Sequence, residues 1–197
     1  MMAARNYLFN PLQWLPDRFQ SPISLLIMIF AWLIGYGLGS VQDGIYHVTF
    51  LKQPSALLVE LLVIAAFYLP VFLLYITGKL FNKKTRFSDV WNGFAFSMVP
   101  LLLANILSFF LLKNEDLAQL SAGELVQAGN SGTMLRMVVL GVVGLGCLIY
   151  SFLLLVNGYK TATNAKKALH YGWMVLAIIV AELLYRSFIY PYLIQFF

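Results

Sequence analysis

The chain has 197 residues, 61% of them hydrophobic and only 11% charged, with a mean hydropathy of +0.81, which leaves too little polar surface to coat a water-soluble fold. The formal net charge of +5 does not point to nucleic acid, because the basic residues lie beside the ends of apolar stretches, where anionic lipid headgroups are the nearer partner. A single cysteine, Cys147, inside one of those stretches, excludes an intramolecular disulfide and a cysteine metal cluster.

Residues 1–21 are too aromatic for a solvated tail, and Pro11 and Pro16 interrupt them too often for one long helix. The segment reads as one or two short helical turns in the headgroup zone, with Asn10 capping a turn begun by Pro11. Leu8, Phe9, Leu12, Trp14, Leu15 and Phe19 would face the acyl chains. It serves either as an anchor that frames the first span or as a docking surface for a cytoplasmic partner.

Five apolar stretches follow, at about 22–40, 55–77, 90–112, 134–157 and 171–193, each near the roughly 20 residues that a helix needs to cross hydrocarbon. They predict an all-α integral membrane bundle of five transmembrane helices, a single membrane domain over residues 1–197. The first is long for a signal-peptide core and follows an aromatic segment, so it reads as a retained span. It ends in Gly35-Tyr36-Gly37-Leu38-Gly39, a small-residue pattern for close helix packing, and Gly141, Gly144 and Gly146 give the fourth span a similar surface. Pro70 and Pro100 interrupt the second and third spans and predict kinks. Between the third and fourth, Asn114 to Gly132 is the longest polar connection, and Ser121 to Glu124 fits a capping box for a short surface helix.

Lysine and arginine alternate in density along the connections. The side of the amino terminus carries Arg5, Arg18, Lys79, Lys83, Lys84, Arg86, Lys160, Lys166 and Lys167, and the other side only Lys52, Lys113 and Arg136. The positive-inside rule therefore predicts a cytoplasmic amino terminus and, with five spans, an external carboxyl terminus, in a multi-pass cell membrane protein, bacterial in type. The two basic connections, Lys79 to Arg86 and Lys160 to Lys167, would rest on anionic lipid or an acidic partner, or serve only as retention signals.

An ionisable group near the centre of a span costs about 2.5 to 3.5 kcal/mol on insertion scales and needs a partner or water. Glu182 lies near the middle of the fifth span, with Arg186 one turn on and in reach of it. Glu60 enters the second span to a comparable depth, and Asn105 is the most buried amide candidate. Glu60, Asn105, Glu182 and Arg186 thus form a candidate intramembrane polar cluster, either a structural clasp between helices or the lining of a substrate or proton path. Catalysis finds no support: His47 and His170 fall on opposite sides, no HExxH occurs, and Ser97, Ser108 and Ser151 lack a base at helical spacing. No catalytic residue, metal or cofactor is predicted.

Three loose patterns remain. They are Phe9-Asn10-Pro11 with Trp14 and Phe19 ahead of the first span, Phe87 through Phe94-Ala95-Phe96-Ser97-Met98-Val99-Pro100 opening the third, and Leu155-Val156-Asn157-Gly158-Tyr159-Lys160 followed by Thr161 through Lys166-Lys167-Ala168. With five spans and this orientation, the chain resembles the Yip family (Ypt/Rab-interacting membrane proteins) in its short, prokaryotic form. The resemblance implies a non-enzymatic membrane protein. Eukaryotic relatives contact Rab-type GTPases through a longer amino-terminal region with an acidic-glycine-proline stretch that is missing here, so no GTPase-binding residue is carried over. The expected partners are membrane lipids, a protein at the cytoplasmic face and further copies of the chain through the glycine surfaces. A small transporter or lipid-handling protein working through the polar cluster is the competing expectation.

Overall fold

A computed structural model describes residues 10–51, 53–111 and 131–197. A 3-10 turn at Pro11–Gln13 leads into helix α1, Asp17–Leu38, which starts directly after Pro16, where a missing N–H costs nothing. Gly39 ends α1 in the left-handed region, at φ 67°, a conformation that favours glycine. Two short strands follow, β1 at Ser40–Gln42 and β2 at Val48–Phe50, paired antiparallel with Ser40 opposite Phe50 and Gln42 opposite Val48. Helix α2, Ala56–Phe81, is capped by Ser55, whose hydroxyl accepts from the Leu58 amide at 3.1 Å. Helix α3 spans Phe87–Leu111 and α4 spans Ser131–Thr163. The last span, α5, runs Ala168–Phe196 and contains a π-helical turn at Tyr185–Ile189.

All five helices are long and apolar enough to cross a membrane. Each runs past the bounds read from hydropathy at one end at least, by three to six residues; α1, α2 and α3 stop one or two residues short at the other. Pro22, Pro70 and Pro100 lie inside continuous helices. One turn before Pro100 the Ser97 carbonyl takes a short hydrogen bond from the Ser151 hydroxyl, which ties α4 to α3 beside the interruption.

Helix α3 is packed between α1 and α4 and also touches α2, while α5 lies along α2. The α3–α4 crossing closes on Gly93 and Gly158: a Cβ at Gly158 would come within 2.7 Å of the Gly93 backbone. Phe67, Trp91 and Phe94 fill the α2–α3 contact, with the Phe67 and Phe94 rings edge-to-face at 5.8 Å. The 3-10 turn packs against α3 and α4, and its Asn10 side chain donates to Thr161 at 2.9 Å. Asn10 therefore ties the amino-terminal segment to α4 and makes no side-chain cap.

Candidate functional site

Three places carry polar chemistry, and the most buried is built around the β-hairpin. Val41 and Ile45 are about 1% exposed, so the hairpin is inserted into the bundle instead of lying over it. Backbone in that position must find protein partners, because hydrocarbon offers none. The strands pair with each other, and the Asp43 amide donates to the His47 carbonyl at 3.3 Å. The Glu182 carboxylate accepts the Ile45 N–H at 2.6 Å, and the Tyr185 hydroxyl lies 2.9 Å from the Gln42 carbonyl and 3.0 Å from that of Leu62. Gly44 leaves the space that the carboxylate occupies, since a Cβ there would collide with it. The His47 ring and the Asp43 carboxylate brace the turn.

Glu182 stands fourteen residues from either end of α5, about 21 Å along the helix at 1.5 Å per residue. The hairpin tip is thus held at mid-span. Glu182 and Arg186 form no ion pair, contrary to the contact their spacing allows: the carboxylate is engaged by the hairpin, while Arg186 sits exposed in the π turn. The π turn admits an extra residue per turn and so offsets the helix faces on its two sides. It begins at Tyr185, the buried side chain that reaches both carbonyls.

The four residues of the expected polar cluster are dispersed. Asn105 lines a cavity of about 410 Å³ between the hairpin, α3 and α4, together with Gln42, Tyr46, His47 and Ser108. Glu60 is exposed in a separate groove of about 180 Å³ between α1 and α2. Neither of these two cavities is lined by more than one of Glu60, Asn105, Glu182 and Arg186. The Gln42 side-chain oxygen, which borders the larger cavity, and the Ser40 hydroxyl on the same strand are buried without a hydrogen-bond partner among the described residues. That is unusual, because an unmet buried polar group costs roughly 1–3 kcal/mol.

The third place is the end of the bundle that holds the amino terminus. Asn82 donates to the Thr163 carbonyl at 3.1 Å, Tyr159 reaches Thr77 at 3.2 Å, and Phe81 stacks on His170 at 4.3 Å. These contacts set the α2–α3 and α4–α5 connections side by side. Lys83, Lys84, Arg86, Lys160, Lys166 and Lys167 are exposed there, and Lys79 bends to cap the Lys83 carbonyl at 2.8 Å. No described carboxylate forms an ion pair with any of them.

Of the interfacial residues, Trp14 and Phe19 are exposed at 51% and 46%, with the Arg18 guanidinium 4.7 Å above the Phe19 ring. Pro11 opens the 3-10 turn. Leu12 departs from expectation: it is 7% exposed and packs inward, where Gln20 grips the Leu12 and Leu15 carbonyls. Phe9, Lys52 and the capping box at Ser121 to Glu124 lie outside the described residues.

Among the glycines, Gly35 meets Val59 and the Ser40 carbonyl closely, whereas Gly39 serves the turn, with no helix against it. No described atom lies within 4 Å of a Cβ built at Gly141 or Gly144, so neither packs against a described helix, and Gly144 instead borders the hairpin cavity; the close approach is made by Gly93 and Gly158. Asp43-Gly44 looks like a two-residue hairpin turn, but the observed loop runs from Asp43 to His47 and Gly44 does not adopt the positive φ of such a turn. No group of three metal-ligating side chains is assembled among the described residues.

A family model, the Yip1 domain, matches residues 12–186. No curated protein and no solved structure matches the chain.

Proposed function

This chain belongs to the Yip1 domain family and is a polytopic membrane protein, and we propose that it acts without catalysis, as an adaptor that organises partners at the cytoplasmic face of a bacterial cell membrane. The observation that supports this reading is the basic face. Two connections more than seventy residues apart in sequence are hydrogen-bonded into one surface bearing Lys83, Lys84, Arg86, Lys166 and Lys167 with no described counter-ion. A juxtamembrane basic group of this kind is attracted to anionic lipid by about 1 kcal/mol per residue, and to an acidic protein segment by the same field. Exposed Trp14 and Phe19 flank it at headgroup level.

The test is neutralisation of Lys83, Lys84, Lys166 and Lys167 to glutamine in the full chain, followed by measurement of the phosphatidylglycerol and the proteins that co-purify with it. The adaptor reading requires both to fall while the melting temperature holds. Unchanged recovery of both would sink it.

The cavity beside Asn105 favours a second reading, a lipid-handling protein. It rests on Asn105 with the hairpin residues and no longer on Glu60, Glu182 or Arg186. Filling the cavity with Gly144→Phe would then abolish lipid transfer between vesicles and leave the basic face working.

A further inference from the structure

Glu60 is a carboxylate on a lipid-facing helix surface, and no described side chain pairs with it. It lines the groove between α1 and α2 with Met28, Ile29, Trp32, Val63 and Ile64. The Trp32 indole is fixed there by its N–H, which donates to the Ala56 carbonyl at 3.2 Å. Ala56 is one turn before Glu60, so the ring lies along the same face of α2 as the carboxylate. Tyr36, one turn beyond Trp32, stacks on it at 6.3 Å with the planes 9° apart.

We propose that this groove binds the amine headgroup of a membrane lipid, a phosphatidylethanolamine, with Glu60 accepting from the ammonium and the Trp32 ring lining the groove beside it. A carboxylate next to an aromatic ring selects cations, because charge and ring quadrupole attract the same sign. A carboxylate in such apolar surroundings, with no partner among the described residues, is costly until a cation meets it. The order of residues along the groove also matches a lipid lying head outward. Tyr36 and Ala56 mark the end nearest the helix termini, Glu60 and Trp32 follow, and Met28 and Ile64 continue deeper, where an acyl chain belongs. A volume of about 180 Å³ takes the headgroup end of one chain and leaves the rest in the bilayer. The groove is at the end opposite the basic face, so this site is independent of the adaptor reading.

The full chain in detergent would be offered an equimolar mixture of phosphatidylethanolamine and phosphatidylglycerol with identical chains, and retained lipid counted by native mass spectrometry. Glu60→Gln is expected to lower phosphatidylethanolamine retention about tenfold, the scale of one charge-assisted contact with a cation–π contribution, and to leave phosphatidylglycerol undiminished. Glu60→Asp should keep part of the preference, and Trp32→Leu should lose it with the carboxylate intact. Glycerophosphoethanolamine, the headgroup without chains, should fail to compete at equal concentration. Equal phosphatidylethanolamine retention by Glu60→Gln and the native chain, or parallel loss of both lipids, overturns the proposal. Full competition by the chainless headgroup would overturn the lipid as its source. Neutralising the lysines of the basic face should move only phosphatidylglycerol, which separates failure here from failure there.

Discussion

A carboxylate in the middle of a membrane span is tolerable here because it has a fixed acceptor role. Glu182 takes the Ile45 N–H of an inserted hairpin, a donor with no other described partner. Glu182→Ala strands that amide and should cost about 1–3 kcal/mol, read as a lower melting temperature in detergent. Glu182→Gln keeps an oxygen at the same reach and should cost distinctly less. Equal effects of the two would mean that the hydrogen bond is not what Glu182 supplies. Tyr185→Phe removes a hydroxyl shared by two carbonyls and should destabilise by a comparable amount. The position of Glu182 was legible in the sequence from its depth in an apolar run. Its partner was not, since Ile45 stands 137 residues away and nothing local to α5 encodes that contact. Arg186, one turn on, was the only partner that spacing could offer, and it is not the one used.

Among the helices, the closest contact lies away from the visible glycine pattern. Gly141 and Gly144 form an apparent packing surface in α4, yet neither meets a described atom, while Gly93 and Gly158 bring the α3 and α4 backbones together. Gly158→Leu should force the helices apart and cost about 1–3 kcal/mol or more. Gly144→Ala meets no described atom within 4 Å and should leave the melting temperature unchanged or raise it slightly, as glycine in a helix interior is disfavoured by roughly 0.5–1 kcal/mol. A large loss of stability in Gly144→Ala with none in Gly158→Leu would reverse this assignment. The five helices were readable because hydropathy over some twenty residues needs no knowledge of neighbours. The hairpin was not readable from Asp43-Gly44, since its loop takes five residues, Asp43 to His47, and its insertion was not readable either, because burial depends on the gap that α2, α3 and α5 leave. The π turn at Tyr185–Ile189 has no local signature at all; it begins where the buried face of Met174, Ile178, Ala181 and Tyr185 ends, and it offsets the residues beyond from that face.

At the scale of the molecule the two ends of the bundle differ in kind. One carries lysines and arginines drawn from separate connections; the other opens onto the hairpin cavity and the Glu60 groove. The connections join because Asn82, Thr163, Phe81 and His170 interlock, contacts that a count of basic residues cannot see. That count does give an orientation, since lysine and arginine resist translocation, and the roles proposed for both ends depend on it. With Cys147 changed to serine, cysteines placed at Lys84 and at Gln195 report the two sides through a membrane-impermeant maleimide. Gln195 lies in the last turn of α5 and Lys84 in the α2–α3 connection, and both are exposed. The expected result is labelling of the Gln195→Cys chain in intact cells and of the Lys84→Cys chain only after permeabilisation. The opposite pattern would turn the basic face away from the cytoplasm, and with it would go the adaptor's access to cytoplasmic partners. The Glu60 groove would then open to the inner leaflet, leaving its amine chemistry intact.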